Sequence, residues 1–148
     1  MKISTRGRYG LRILFELALH SDGPPRMVKD IATAQAISPK YLSRLIIDLR
    51  KARLVKSVRG AKGGYKLARF PSDITLLEIV EIMEGRIALH DCVREPDASR
   101  RKADCATRQV WSELNEHIRQ WMAAVTLQTF LDAHTARERE GLISDYDI

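Results

Sequence analysis

Apolar residues recur at spacings of three and four over residues 5–51, which indicates three amphipathic helices. The first is predicted over residues 5–20, where a glycine and two prolines end it, and the second over residues 28–34. The third begins at Ser38-Pro39, because a serine oxygen can cap free amides and proline fits the first helical turn. A short connection joins the last two helices, and the third is basic on its outer side. This pattern favours a helix-turn-helix.

Two short β-rich runs follow, at residues 54–58 and 65–68, and a basic, glycine-rich turn separates them. The pattern predicts a β-hairpin, which next to a helix-turn-helix would form a wing. Gly60, Gly63 and Gly64 would let the backbone turn sharply and approach a phosphate, while Arg59 and Lys62 supply charge at the tip. An ordinary hairpin without a DNA contact is the alternative.

The second half of the chain predicts two helices around a loop. Thr75 and Glu78 resemble a capping box at the start of a helix that runs to Gly85, and residues 86–104 lack periodicity. Beyond Cys105 one long amphipathic helix is expected, with an apolar stripe at residues 110, 114, 118, 121 and 125. Part of this stripe can pack on the first helix, but so short a chain cannot cover all of it. Pairing with a second copy is therefore expected.

Together these elements predict a mainly α fold with a small β-hairpin wing, in which a winged helix-turn-helix precedes a long C-terminal dimerisation helix. The expected divisions are a DNA-binding domain over residues 1–70 and a connecting helix with a loop over residues 71–104. The dimerisation helix would span residues 105–131, and a flexible tail residues 132–148.

Charge is segregated along the chain of 148 residues, whose net charge is +6. The first 70 residues hold 16 Lys and Arg against four acids, and the remainder holds nine against 15. A basic half joined to an acidic half is typical of a nucleic-acid binder with a regulatory module, although a merely solvated basic surface would give the same bias. The sequence contains no apolar run of membrane-spanning length and no secretory signal, so a cytoplasmic protein without a membrane partner is expected.

The expected DNA contacts lie at the start of the third helix, in the wing and near the N-terminus. Residues of the third helix would contact bases and phosphates, and the N-terminal cations would contact the DNA backbone. The complete set is Lys2, Arg6, Arg8, Ser38, Lys40, Tyr41, Ser43, Arg44, Arg59 and Lys62.

Several motifs occur in an order that resembles one protein family. They are residues 4–10 (Ser-Thr-Arg-Gly-Arg-Tyr-Gly), the helix start at residues 37–42, the turn at residues 59–65 and the loop that contains both cysteines. Nearly the whole chain, to about Leu131, resembles the Rrf2 family of winged-helix transcription regulators. The resemblance implies a homodimer crossed through the C-terminal helix that binds a pseudo-palindromic operator in double-stranded DNA.

Within that family the cysteine loop is most similar to the iron–sulfur cluster-sensing members, which carry three cysteines. Six residues separate Cys92 from Ser99 and five separate Ser99 from Cys105, so that Ser99 stands where those members have the middle cysteine. The resemblance implies a cluster, of the [2Fe–2S] type in the three-cysteine form, as the effector. Here it would be weakened or absent, because a serine hydroxyl ionises too reluctantly to replace a thiolate. His90 is a candidate for a further ligand.

Other roles for the two thiols stay open. The chain could instead be a cluster-free regulator of this family that answers to a partner protein, or it could switch through a disulfide between Cys92 and Cys105. A thiol enzyme that uses Cys92 with His90 or His117 is a remote alternative, because no motif places a base or an oxyanion site near the sulfur. The sequence therefore predicts a regulator and not an enzyme.

Overall fold

The computed structural model describes residues 3–89, residue 93 and residues 106–141. The described helices and strands are, in chain order, α1 (Thr5–Leu19), α2 (Val28–Gln35), α3 (Pro39–Lys51), β1 (Val55–Val58), β2 (Gly64–Leu67), α4 (Leu76–Glu84), α5 (Ala106–Ala124) and α6 (Leu127–Arg139). A single 3₁₀ turn, Pro71–Asp73, precedes α4. The predicted fold class, mainly α with a β-hairpin wing, is confirmed.

Helix α1 lies at the centre of the fold. Its apolar residues Ile13, Leu14 and Leu17 are fully buried in a core that α2, α3, the wing, α4 and α6 complete. Burial of such side chains is the main favourable contribution to folding. Because α1 contributes to one core shared by the helix-turn-helix and the C-terminal helices, the two halves of the chain are packed on each other.

A smaller apolar cluster joins α4 to α5. Val80 and Ile87 pack against Met122 there, and Ile118 lies at the edge of the cluster. Ile118 and Met122 are four residues apart and therefore share one side of α5. Helix α5 packs on α4 through that side.

The prediction of one long helix over residues 105–131 is wrong, because the chain leaves the helical conformation after Ala124. Two backbone hydrogen bonds, each 2.8 Å long, tie the break to the segment that enters α4: Leu76 N donates to Val125 O, and Leu127 N donates to Ile74 O. The partners in these bonds, Ile74 and Leu76, are about 50 residues away in sequence. The helical periodicity around Val125 therefore does not indicate that the helix breaks there.

The prediction of a flexible tail from residue 132 is also wrong as far as α6 extends. Thr126 and Thr129 form a reciprocal capping box at the start of α6, and Leu127 is fully buried in the main core. The ring of His134 packs edge-on against Phe15 of α1, with 5.4 Å between the ring centres. Helix α6 thus folds back onto α1 and ends at Arg139, and residues 142–148 of the predicted tail lie outside the described residues.

The start of α4 agrees with its prediction in part. Thr75 caps the helix, since its hydroxyl accepts a hydrogen bond of 3.1 Å from the N–H of Glu78. The predicted return contact from the Glu78 carboxylate is wrong. That carboxylate accepts a hydrogen bond from Arg69 at 2.6 Å instead, which links α4 to the segment that follows the wing.

Candidate nucleic-acid interface

The helix-turn-helix is formed by α2 and α3. The turn between them passes through Ala36, whose φ of 51° lies in the left-handed region. Ser38 then caps α3 by accepting a hydrogen bond of 3.2 Å from Tyr41 N, and Pro39 occupies the first turn as predicted. The apolar side of α3 is buried, so the opposite side faces solvent; its buried residues are Leu42, Leu45, Ile46 and Leu49.

Most of the predicted contact residues of α3 lie on its exposed side. Lys40 and Arg44 are exposed and form no ion pair among the described residues. Ser43 is exposed too, but its hydroxyl donates to the carbonyl of Pro39 at 2.9 Å. Tyr41 is half-buried, and its ring packs edge-on against Tyr9 of α1 with 6.0 Å between the ring centres. Two exposed cations and two hydroxyls, those of Ser38 and Ser43, are therefore presented together at the start of α3.

The predicted N-terminal contacts differ in their environments. Arg6 forms an ion pair of 2.8 Å with Asp48 on α3, and its side chain stays 48% exposed. A DNA phosphate would thus have to share Arg6 with Asp48. Arg8 is exposed on α1, and Lys2 lies outside the described residues.

The wing is a two-stranded antiparallel hairpin. Val55 pairs with Leu67 and Val58 pairs with Gly64, so that residues 59–63 form the turn. A hydrogen bond of 3.0 Å from Gly63 N to Gly60 O closes the turn, and both predicted cations, Arg59 and Lys62, are exposed on it. The wing tip therefore presents two exposed cations, the kind of side chain that contacts phosphates or enters a narrow minor groove.

The wing glycines have reasons within the fold itself. A Cβ on Gly63 would lie 2.3 Å from Val58 O, and a Cβ on Gly64 would lie 2.4 Å from Arg26 O. The second close approach exists because Arg26 pairs with Tyr65 next to the hairpin. For these two glycines internal packing is sufficient to explain the residue. At Gly60 a Cβ would meet nothing within 4 Å, but its φ of 114° lies where residues other than glycine are strained.

The end of α4 meets the start of α1 at Glu84. Its Oε1 accepts three hydrogen bonds, from the hydroxyl of Ser4 (2.6 Å), Ser4 N (3.0 Å) and Gly7 N (2.8 Å). Partial burial would raise the pKa of Glu84, but these hydrogen bonds and the charge of Arg6 together lower it. A carboxylate is also favoured at a helix N-terminus. Glu84 thus connects the end of α4 to α1, beside the ion pair that connects α1 to α3.

The segment that leaves α4 is anchored on α5. Asn115 is buried; its Oδ1 accepts a hydrogen bond of 3.0 Å from Leu89 N, and its Nδ2 contacts Ile87 O at 3.5 Å. The N–H of Ile87 donates to Glu81 at 3.1 Å, and the same carboxylate pairs with Arg119 of α5. The start of the loop that contains both cysteines is therefore fixed to both neighbouring helices.

The predicted cluster ligands Cys92 and Cys105 lie outside the described residues, and so do the candidate ligand His90 and Ser99, which stands at the position of the missing thiol. Over residues 3–89 and 106–141, no three His, Cys, Asp or Glu side chains are grouped as a metal site. Two thiols and one hydroxyl do not fit a cluster that needs three thiolates from this loop, because the hydroxyl does not ionise readily. The donor set argues against a tightly bound cluster in this chain.

Sequence reasoning missed both Glu84 and Asn115. A signal existed for Asn115, which falls on the same side of α5 as Ile118 and Met122. A polar residue within an apolar stripe indicates a buried hydrogen bond. Glu84 gave no such signal, because its partners lie some 80 residues away at the other end of the domain.

Comparison with known proteins identifies the family. Residues 3–133 match the family model described as "Rrf2: Iron-dependent Transcriptional regulator". This chain belongs to the Rrf2 family. It is a DNA-binding transcription regulator, and its relatives are named as regulators and not as enzymes. Within the described part of this Rrf2-family chain, no helix is both long enough and apolar enough to cross a membrane.

Relatives of this Rrf2 protein align with most of its length. Protein rrf2 of Nitratidesulfovibrio vulgaris is 44% identical over 76% of this chain and 75% of its own. The regulator CymR of Bacillus subtilis is 38% identical over 95% of this chain and 96% of its own, and its solved structure, described as that of the global cysteine regulator, superposes with a TM-score of 0.78. The structure of T. potens IscR gives a TM-score of 0.74 at 38% identity, covering 90% of this chain and 88% of that one.

Proposed function

We propose that this Rrf2-family regulator binds a two-fold symmetric operator as a homodimer, with α3 in the major groove and the wing on the neighbouring backbone or minor groove. The observation that carries the proposal is that α3 and the wing tip each present exposed cations that form no ion pair with any residue the structure describes. Both belong to the half of the chain that is strongly basic. Recognition helices place their N-terminal residues against base edges. Lys40, Ser43 and Arg44 lie in the N-terminal half of α3.

Helix α5 supports the homodimer. An exposed side of α5 carries an apolar stripe, the α5 stripe, in which Val110 is 63% exposed, Leu114 is 45% exposed and Trp121 is 65% exposed. Trp111, beside the stripe, is 45% exposed. A two-fold symmetric operator is bound by two copies of the chain, and the α5 stripe of the second copy can pack on the α5 stripe of the first in a self-complementary interface.

The test uses a DNA duplex selected with the full-length protein from a random-sequence library. Replacing Arg44 or Arg59 by alanine is expected to cost about 1–3 kcal/mol of binding free energy where the residue contacts a base. Where the residue contacts only a phosphate, the slope of log affinity against log salt should fall by about one. Fluorescence anisotropy across a KCl series measures both quantities. Arg137→Ala, an exposed cation on α6, is the matched control and should change neither.

Unchanged affinity and slope in both Arg44→Ala and Arg59→Ala would exclude this interface. A loss in Arg137→Ala equal to theirs would show that the affinity follows the overall charge of the protein and not the position of the cation. Either result would exclude the proposed mode of DNA recognition without affecting the assignment of the chain to the Rrf2 family.

We further infer that the signal enters through the segment between α4 and α5. The supporting contacts are those that fix its start to Glu81 and Asn115, together with the contact from Glu84 at the end of α4 to α1. Cys92 and Cys105 supply two soft ligands, and the cluster-sensing arrangement would be one thiol short at Ser99. A disulfide between Cys92 and Cys105 is the second candidate, because it needs no third thiol.

The Ser99→Cys variant separates these two candidates. After anaerobic incubation with iron and sulfide, we expect the variant to bind iron and absorb visible light, and the unchanged protein to bind much less. Ser72→Cys, which adds a thiol at an exposed position of the 3₁₀ turn, is the control. Iron binding no greater in Ser99→Cys than in Ser72→Cys would exclude the cluster. Operator binding that is indifferent to oxidant would exclude the disulfide.

A further inference from the structure

A buried carboxylate on α1, Glu16, has partners in two different DNA-binding elements. Glu16 is 2% exposed. One of its oxygens accepts a hydrogen bond of 2.8 Å from Arg26, and the other accepts one of 3.1 Å from Gln35. His20, on the next turn of α1, has its Nδ1 3.4 Å from the first oxygen. The carboxylate thus joins three segments of the chain in the interior.

Arg26, which precedes α2 in sequence, pairs with strand β2 of the wing. Its backbone exchanges two hydrogen bonds with Tyr65 of β2, from Arg26 N to Tyr65 O (3.0 Å) and from Tyr65 N to Arg26 O (2.8 Å). Gly64 permits this contact, because a Cβ there would collide with Arg26 O. Any shift of the Arg26 backbone therefore moves the part of β2 that adjoins the wing turn.

Gln35 belongs to the turn of the helix-turn-helix. It is fully buried and ends α2, and the next residue, Ala36, carries the left-handed turn. Arg12 of α1 holds Gln35 from a second side, with hydrogen bonds of 2.9 Å to its side-chain oxygen and 2.9 Å to its carbonyl. The position of Gln35 therefore determines where α3 begins.

We propose that Glu16 is a positioning residue that fixes the wing relative to α3, so that both elements reach DNA in one geometry. The inference rests on the proposed DNA contacts of α3 and the wing, and it adds the residue that sets their relative placement. Glu16 itself would not contact DNA, since α1 and its neighbours enclose it.

Stability alone is a poor explanation for this network. A buried ion pair loses most of its favourable Coulomb energy to desolvation, and apolar residues of similar size are often at least as stabilising. In the part of the chain that the structure describes, the Nε of Arg26 is buried without a hydrogen-bond partner, which is unfavourable. Because the network leaves a buried donor unsatisfied, we explain it by the positions in which it holds Arg26 and Gln35 and not by a contribution to the stability of the fold.

A double-mutant comparison tests the proposal on the selected duplex. In the otherwise unchanged protein, Arg59→Ala should lower the salt slope by about one, because the wing tip loses a phosphate contact. In a Glu16→Gln background the wing is no longer fixed, so the same substitution should lower the slope by less than half as much. Arg44→Ala on α3 should keep its full effect in both backgrounds, since Arg12 still holds Gln35 and the core still holds α3 when Glu16 is changed.

Controls distinguish loss of position from loss of stability. Ile79→Val weakens the core at α4 without touching the network and should leave the effect of Arg59→Ala unchanged. Circular dichroism reports whether each variant is folded at the assay temperature. If Glu16→Gln is not folded, Arg26→Lys takes its place, because it keeps a positive charge beside the buried carboxylate and removes the guanidinium that fixes the direction of the contact.

An equal effect of Arg59→Ala in the two backgrounds would overturn the positioning role while leaving the proposed interface in place. No effect of Arg59→Ala in either background would remove the wing contact itself, and the proposal with it. A reduced effect in the Glu16→Gln background together with an undiminished effect in the Ile79→Val background is the result that the proposal requires.

Discussion

Single polar residues connect parts of this chain that are distant in sequence. Glu84 brings the end of α4 to the start of α1, Asn115 holds the start of the cysteine loop, and Glu16 joins the wing to the helix-turn-helix. Each acts through hydrogen bonds to main-chain or charged groups, which have strict requirements of distance and angle. Polar contacts of this kind therefore restrict the relative orientation of the segments they join more than apolar packing alone does.

Glu84 predicts a pH-dependent stability. Its pKa is lowered in the folded protein, so the ionised form favours folding; this stabilisation is complete above the ordinary glutamate value of about 4.5 and is lost as the pH falls through the lowered value. Glu84→Gln should reduce the free energy of unfolding by about 1 kcal/mol at neutral pH, at the low end for charge-assisted hydrogen bonds because the site is exposed to solvent. Urea denaturation at several pH values measures it.

The difference in the free energy of unfolding between the unchanged protein and Glu84→Gln should shrink toward zero as the pH falls from about 4.5 to below the lowered pKa of Glu84. Asp22→Asn is the control, because the exposed Asp22 carboxylate accepts no hydrogen bond from the described residues. A difference for Glu84→Gln that stays constant from neutral pH to about pH 3.5 would show that its carboxylate is not stabilised by Ser4 and Gly7.

At the scale of elements, local patterns predicted most of the helices and the hairpin, because helix periodicity, caps and turn residues act over a few positions. The break between α5 and α6 was not predictable from periodicity, since it depends on hydrogen bonds to Ile74 and Leu76. The one local signal was the pair Thr126 and Thr129, which forms a capping box inside an otherwise continuous apolar pattern.

The candidate interface was predictable to a similar extent. Charge and spacing predicted that Lys40, Arg44, Arg59 and Lys62 would be exposed, and they are exposed in the structure. Their contact with DNA stays a prediction. The supporting network was not predictable, because Glu16 and Arg26 are ten residues apart and meet only when the wing packs beside α1.

The wing predicts a difference between two glycines. Gly64→Ala should reduce the free energy of unfolding by about 2 kcal/mol or more and weaken operator binding, because the new Cβ would lie against the backbone of Arg26. Gly23→Ala, whose Cβ would be in ordinary contact at 3.6 Å, should stay within about 0.5 kcal/mol. Thermal denaturation measures both. Equal stability of the two variants would mean that Arg26 does not pack on β2 as closely as described.

At the scale of the whole molecule, one central helix packs on both halves of the chain. Helix α1 packs on the helix-turn-helix and the wing and also on α4 and α6. Under the proposed entry of the signal between α4 and α5, a change there would have few intermediates to cross before the DNA-binding half. Coupling of this kind requires packed elements with two arrangements that the signal can favour differently. The α5 stripe lies on the outer side of this assembly, where a second copy would place two DNA-binding halves in a two-fold relation.

The most direct test is sedimentation of the selected duplex with the unchanged protein and with Trp121→Glu, which places a charge in the α5 stripe. Ala123→Glu is the control, because about 200° of helix rotation separates residue 123 from residue 121. For the unchanged protein and for Ala123→Glu, we predict two chains per duplex and a selected sequence with two-fold symmetry. For Trp121→Glu, we predict a monomer that binds the duplex weakly. One chain on an asymmetric sequence, unaffected by Trp121→Glu, would contradict a dimeric regulator that binds its operator through two copies of α3 and the wing.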